Sequence, residues 1–283
     1  MKKILLSVLA FVSILGLLSG CVSPDAPAIP TTTDISTTAT TQVTNAATTE
    51  TTTEATTEAT TEATTEATTE ATTQPEHSEL YLPHLNVEDV IRYFNEVCLD
   101  AEIVNSGDPT RLQKWVVPIR YYINGTYTDA DKATLDSFVS WLNQIEGFPG
   151  MHMVDDPALA NLNIHFCDAD AYLTLMGNNF YGTDGGVTFW YNGADQIYNA
   201  VIGYRTDLEQ KVRNSVILEE IYNGLGPIND TQERMTSIIY TGYSIPQWLS
   251  EEDQLIMKLL YHPLMQCGMD ADQCADVIRQ LYY

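Results

Sequence analysis

The chain is short of positive charge. Its 283 residues include 13 lysines and arginines against 38 aspartates and glutamates. From residue 80 onward there are 28 acidic and 11 basic residues, a formal charge of 11 − 28 = −17. Affinity for nucleic acid comes mainly from basic side chains that displace counterions. Nucleic acid and anionic lipid headgroups are therefore poor candidate partners.

Several catalytic signatures are also missing. The sequence has no Gly-x-Ser-x-Gly elbow and no phosphate-binding Gly-x-x-x-x-Gly-Lys. Its five histidines include no pair at i,i+4 spacing, the spacing by which one helix presents two metal ligands. His165 alternates with apolar residues in a predicted strand, so we expect its side chain to point away from the core.

A long apolar run occurs only at the amino terminus. Lys2 and Lys3 precede the apolar residues 4–18, which end in leucine and are followed by Ser-Gly and Cys21. This ending resembles a bacterial lipobox, as opposed to an ordinary signal peptide or a short membrane helix. The resemblance implies that residues 1–20 are a signal peptide and that Cys21 is lipidated. The protein is then expected at the outer face of the cell membrane, held by its lipid anchor.

Residues 22–79 contain almost no aromatic or large aliphatic side chains. Threonine dominates, and Glu-Ala-Thr-Thr recurs five times from Glu54 onward. Such a composition cannot bury enough apolar area to offset chain entropy. We therefore interpret residues 21–79 as a disordered, threonine-rich stalk that begins at the lipidated cysteine.

Residues 80–283 have the periodicities of a mixed α/β domain. Helices are predicted at Val87–Cys98, 129–144, 207–223, 251–261 and 271–281, with Asn86, Thr128, Thr206, Ser250 and either Asp270 or Asp272 as caps. Strands are predicted at 115–123, 162–166, 187–191 and 197–204, from their β-branched and aromatic residues. About 200 residues is an ordinary size for one core.

The predicted helix 207–223 ends in a segment that resembles a known catalytic motif. Residues 219–229 read Glu-Glu-Ile-Tyr-Asn-Gly-Leu-Gly-Pro-Ile-Asn. They resemble the metzincin frame His-Glu-x-x-His-x-x-Gly-x-x-His, in which histidines bind zinc and the glutamate polarises the attacking water. The glutamate falls on Glu220 and the glycine on Gly226. The three ligand positions fall on Glu219, Asn223 and Asn229, none of which is histidine.

Later residues extend the resemblance. Ser237-Ile238-Ile239-Tyr240 resembles the metzincin methionine turn, and the segment from Leu249 to Tyr261 resembles its closing helix. The pattern of residues 219–230 and 259–269 is similar to a family called domain of unknown function 2927. These resemblances imply a metzincin-like domain with a mixed twisted sheet, a motif helix and a C-terminal helical subdomain. The family supplies no established activity.

The substituted ligand positions bear on metal binding. Zinc prefers imidazole and thiolate, whereas one carboxylate and two amides form a hard-oxygen set closer to calcium or magnesium. The expectation is that no metal or other cofactor is bound, with zinc or calcium as the alternatives.

Four cysteines follow Cys21, and outside the cytoplasm an even set suggests two disulfides with three possible pairings. Cys267 and Cys274 enclose a short loop and are the first choice. Cys98 and Cys167 would then form the second bond. Free buried thiols are the alternative.

These features favour a surface lipoprotein whose degenerate metzincin-like domain binds a peptide, a glycan or another cell-wall ligand without cleaving it. One alternative is a metal-dependent extracellular peptidase or other hydrolase that uses Glu220 as general base. Another is a structural envelope protein without a small ligand.

The lipobox interpretation predicts the behaviour of one variant. Cys21→Ala removes the thiol that would carry the lipid, so the variant should leave the membrane fraction on cell fractionation. Retention of Cys21→Ala in the membrane fraction would contradict the interpretation.

Overall fold

A computed structural model of the chain describes residues 78–99, 111–242 and 244–283, together with the backbone of Ser7–Val8. Cys21 and the predicted stalk, apart from its last two residues, lie outside the described residues. Within the described part of the chain, no helix is both long and apolar enough to cross a membrane.

The described residues form six α-helices, and all but one of them begin at a side-chain cap. They are α1 (Val87–Cys98), α2 (Asp129–Leu142), α3 (Ala169–Met176), α4 (Gln210–Gly224), α5 (Glu251–Tyr261) and α6 (Ala271–Leu281). Capping boxes begin α2, α5 and α6, and Asn86 caps α1 by accepting a hydrogen bond from the Asp89 N–H. Asp270, rather than Asp272, caps α6. These caps satisfy backbone donors that the first helical turn leaves unpaired.

The strands form one seven-stranded sheet. They are β1 (Ser7–Val8), β2 (Lys114–Trp115), β3 (Ile119–Gly125), β4 (Met151–Met153), β5 (Leu162–Cys167), β6 (Gly185–Tyr191) and β7 (Gln196–Arg205). The order is β1-β6-β7-β5-β3-β4, and β2 also pairs with β7. The β6–β7 pair is antiparallel and the other pairs are parallel. This confirms the predicted mixed α/β class.

The sheet differs from the prediction in its first part. The predicted strand 115–123 is two strands, because residues 116–118 leave the sheet between β2 and β3. Pro118 lacks a backbone N–H for a strand ladder, and Val116 and Val117 are exposed. Strand β4 was not predicted.

Two helices also differ from the prediction. Helix α4 begins at Gln210 rather than at residue 207, and Glu209 makes no side-chain cap. The hydroxyl of Thr206 instead donates to the Cys167 carbonyl, 3.2 Å away, so it binds the last residue of β5. Helix α3 was not predicted, although Asp168 caps it by accepting from the Ala171 N–H.

Side-chain alternation places two helical layers on opposite faces of the sheet. A Cβ built on Gly185 would meet Val216 of α4, whereas one built on Gly186 would meet Tyr172 of α3. Successive strand residues point to opposite faces. Helix α4 therefore covers one face at β6, and α3 covers the other.

The buried carboxylate of Asp131 joins the starts of α2 and α4. It accepts from the Thr128 N–H at 2.8 Å and from the Gln210 side-chain amide at 2.7 Å, and it pairs with the guanidinium of Arg213. Asp131 has no exposed surface and Arg213 is almost fully buried. A buried ion pair of this kind is costly to break, because the remaining charge is left without a partner.

We expect Asp131→Ala to lower the free energy of unfolding by about 3–5 kcal/mol, because it strands the buried guanidinium of Arg213. Urea denaturation followed by circular dichroism measures this. Asp129→Ala, in the same helical turn but exposed, is the matched control and should cost about 1 kcal/mol or less. Equal losses in the two variants would contradict the assigned role of the Asp131–Arg213 pair.

Candidate functional site

The candidate site lies on the last two turns of α4. Glu219 and Glu220 are each 1% exposed, and Asn223 is 2% exposed. These side chains therefore form neither a solvated helical face nor the floor of an open cleft. Helix α4 is buried on nearly all sides from Ser215 to Gly224, because α2, β6 and β7 pack against it.

Glu220 lies directly against β6. An added Cβ on Gly185 would sit 3.0 Å from Glu220 Cγ and 3.1 Å from its Oε1. It would also sit 2.4 Å from Val216 Cγ1, closer than atoms can pack. The absence of a side chain at residue 185 is what lets the strand approach the motif helix at this point.

The carboxyl group of Glu220 contributes to a raised pKa in two buried tyrosines. Burial raises the pKa of Tyr204 well above its usual range, and Glu220 and Glu219 raise it further. The pKa of Tyr172 is raised by burial first, and Glu220 adds to the shift. The Tyr204 hydroxyl donates to the Ile217 carbonyl at 3.1 Å. Both phenols therefore stay protonated and act as hydrogen-bond donors near Glu220.

Asn223 contributes an amide to the same region. Its Oδ1 is buried and has no hydrogen-bond partner among the described residues. Leaving a buried amide oxygen without a hydrogen bond costs free energy. The Asn223 oxygen is therefore available to accept a hydrogen bond from a small polar group.

The chain turns sharply after Asn223, as the motif predicted. Gly226 has a φ of +136°, and a Cβ there would lie 2.7 Å from the Gln113 carbonyl oxygen. Nearby helix-end carbonyls are bound by two aromatic side chains. Trp115 Nε1 donates to the Gly224 carbonyl at 2.9 Å, and the Tyr261 hydroxyl donates to that of Leu225 at 2.7 Å. Only glycine fits this position without displacing the neighbouring backbone.

Asn229, the third ligand position of the frame, serves α1. Its side-chain amide donates to the Glu96 carbonyl at 3.0 Å, and its backbone N–H donates to the Val97 carbonyl at 3.1 Å. The helix C-terminus has unpaired carbonyls, and Asn229 satisfies them. The geometry thus gives Asn229 a structural task that a histidine ligand would not perform.

The segment that resembles the methionine turn is bound to α5. The Asp253 carboxylate accepts from the Ser237 hydroxyl at 2.7 Å, from the Ile238 N–H at 2.9 Å and from the Tyr93 hydroxyl at 2.7 Å. Asp253 also completes the capping box with Ser250. The capping role of Asp253 was predictable from spacing, whereas its contact with Tyr93, 160 residues away, was not.

The donor set does not fit zinc. Among the described residues, no group of three histidine, cysteine, aspartate or glutamate side chains could hold a metal ion. Glu219, Asn223 and Asn229 offer oxygen where zinc favours nitrogen or sulfur. The residues at these three positions therefore do not match the ligand chemistry of the motif that they resemble.

The predicted disulfides are not formed in the structure. Cys98, Cys167, Cys267 and Cys274 are free thiols, with Cys98 and Cys274 buried. Burial raises the pKa of Cys98 well above its usual value and that of Cys274 to about 12. These thiols are therefore held in the unreactive protonated form.

Burial lowers the pKa of two further polar residues, His165 and Lys114. His165 is half-buried and alternates with buried neighbours, as predicted, and burial lowers its pKa. Lys114 was missed by the sequence analysis. Its ammonium donates to the carbonyls of Leu260 and Met265, and burial lowers its pKa to about 8. No local sequence signal marks a lysine that pairs with carbonyls about 150 residues away.

The fold and site define a class of protein: an α/β domain whose buried motif helix carries Glu-Glu-x-x-Asn. The chain belongs to the family described as "Protein of unknown function (DUF2927)", which matches residues 87–280. This confirms the family resemblance drawn from residues 219–230 and 259–269. A comparison with curated protein sequences finds no match.

Among solved structures, the chain is similar to two of myroilysin. The first is 11% identical, and the similarity covers 61% of this chain and 72% of that one, with a TM-score of 0.28. The second is 12% identical, with coverages of 61% and 73% and a TM-score of 0.28. We infer no function from this likeness.

The close contact between β6 and Glu220 predicts that adding one methyl group at Gly185 destabilises the domain. Gly185→Ala should lower the free energy of unfolding by about 1–3 kcal/mol, because the new Cβ overlaps Val216 and Glu220. Thermal and urea unfolding measure the change. Gly193→Ala, where an added Cβ meets nothing within 4 Å, is the control and should be nearly neutral. A Gly185→Ala variant as stable as Gly193→Ala would contradict the close approach.

Proposed function

We propose that this protein is a lipid-anchored surface protein whose domain binds an extended peptide along β6 without cleaving it. The observation that carries the proposal is the pairing of β6. Among the described residues, one edge of β6 pairs with β7, and the other pairs in parallel with Ser7–Val8 alone, in the register Ser7 with Thr188 and Val8 with Phe189.

Removal of the predicted signal peptide, residues 1–20, would take β1 away from this edge. Strand β6 would then present unpaired backbone N–H and C=O groups, which is the arrangement that accepts an added strand. Main-chain hydrogen bonds supply affinity in such complexes, and side-chain pockets supply specificity. The pairing with Ser7–Val8 supports the proposal because it is an instance of an extended segment added at this edge.

Charge favours a basic peptide as the ligand. The domain from residue 80 onward has a formal charge of −17. A surface of one sign accelerates encounter with ligands of the opposite sign and repels ligands of like sign. A peptide with lysine or arginine near its ends fits this field better than an acidic one.

The state of Glu220 supports binding without hydrolysis. The carboxyl group is buried under β6, and the third ligand position, Asn229, is committed to α1. A carboxylate without a metal-bound water is a weak base toward water. The site therefore lacks the means to activate a nucleophile in the manner of the metzincin frame.

A glycan is the second candidate ligand, favoured by a separate cavity of about 490 Å³. Its lining includes Trp141, Gln144, Glu146, Lys258 and His262. An indole beside amide and charged groups suits a sugar ring, whose faces stack on aromatics while its hydroxyls form hydrogen bonds.

The peptide proposal predicts a dependence on backbone N–H groups. We expect residues 22–283 to bind fluorescein-labelled peptides of alternating threonine and valine with lysine at both ends. An added strand uses the N–H of every second residue, so N-methylation of one alternate set should weaken binding about tenfold or more. N-methylation of the other set should have little effect. Fluorescence anisotropy measures both, and equal effects of the two sets would contradict strand addition.

Glu220→Gln is the matched control for catalysis. The nearly isosteric change should leave peptide affinity within about twofold, and mass spectrometry should find the peptide intact with either protein. Cleavage by the unmodified protein that Glu220→Gln abolishes would overturn the proposal and favour the hydrolase alternative.

A further inference from the structure

A small cavity lies beside the start of β6, on the face of the sheet opposite α4. Its volume is about 240 Å³, and its lining includes Ala169, Tyr172, Leu173, Phe180, Tyr181 and Arg205. We call it the aromatic cavity. It is formed by α3 and the segment that leads into β6, neither of which contributes to the motif helix.

Two paired glycines fix the position of the aromatic cavity on the sheet. Gly186 of β6 lies opposite Gly203 of β7. An added Cβ on Gly186 would be 2.4 Å from Phe180 Cδ1 and 2.9 Å from the Tyr172 hydroxyl, and one on Gly203 would be 3.0 Å from the Tyr172 ring. Both aromatic side chains therefore lie against the sheet, at the place where neither strand has a side chain.

A strand added to β6 would direct alternate side chains toward this face. In a parallel pair, residues opposite each other point to the same face of the sheet. With the register set by Ser7 and Thr188, the residue two positions earlier in the added strand lies opposite Gly186. Its side chain would project toward the α3 face, on which Phe180 and Tyr172 of the cavity lining lie against Gly186.

The polar groups around the cavity are already engaged. The Tyr172 hydroxyl is hydrogen-bonded to Thr183 Oγ1 at 2.6 Å, and the Arg205 guanidinium pairs with Asp207 at 2.7 Å. The lining that remains is largely hydrocarbon, and Tyr181 is 78% exposed at its rim. An apolar guest, and a flat one in particular, suits this environment better than a charged one.

We propose that the aromatic cavity binds an aromatic side chain of the peptide added to β6, at the position opposite Gly186, and so determines which peptides bind. This inference rests on the proposed function and adds that the peptide carries an aromatic side chain at this position. It assigns a task to the exposed ring of Tyr181, which the packing of the domain does not require.

The test compares two peptides on residues 22–283 by fluorescence anisotropy. Both are the lysine-flanked threonine and valine peptide described above, with either phenylalanine or threonine at one central position. We expect the phenylalanine peptide to bind about tenfold more tightly, because the ring leaves water on entering the cavity. Ala169→Trp, which fills the cavity, should abolish this preference while leaving the threonine peptide bound.

Tyr181→Ala tests the cavity without altering a buried side chain. Removing this exposed ring should reduce the preference for phenylalanine several-fold, whereas Tyr283→Ala, 66% exposed and outside the cavity, should not. Retained peptide binding with no preference, or a preference unchanged by Tyr181→Ala, would overturn the cavity assignment and leave strand addition intact. Absence of binding by every peptide would overturn the proposed function and this inference with it.

Discussion

The buried carboxylate of Asp253 is the interaction on which the arrangement of the helices depends. It receives hydrogen bonds from Tyr93 of α1, from Ser237 and Ile238 of the turn, and from the N–H of Ser250 at the start of α5. The backbone carbonyl of the same residue accepts from Tyr222 of α4. A fully buried anion requires all of these donors, so it fixes the motif helix against three other segments at once.

The opposite end of α4 is held by a second buried carboxylate, that of Asp131. Both ends of the helix are held by these bonds, and Glu220 lies enclosed between α4 and β6. A metzincin-like frame needs space above its glutamate for a metal and a substrate. Here Gly185 brings the strand against Glu220 instead, and the ligand surface that we propose is the edge of β6.

The glycines at the start of β6 connect the two faces of the sheet. Gly185 allows the approach of α4, and Gly186 allows Phe180 and Tyr172 to lie on the other side. The strand thus has no side chains at its amino end, and protein packs closely against its backbone on both faces. The two glycines therefore determine how closely the helical layers approach the strand on both faces.

The sequence by itself determined the features that depend on near neighbours: the caps at Asn86, Thr128 and Ser250, the turn at Gly226, the alternation around His165 and the family membership. Each rests on contacts within a few residues or on a fixed spacing, so a linear pattern contains the whole signal. Only the tertiary structure decided that Glu219 and Glu220 are buried, that Asn229 binds α1, and that Asp253 reaches Tyr93. These outcomes depend on partners many residues away, and an acidic helix reads the same from its sequence whether water or a strand covers it.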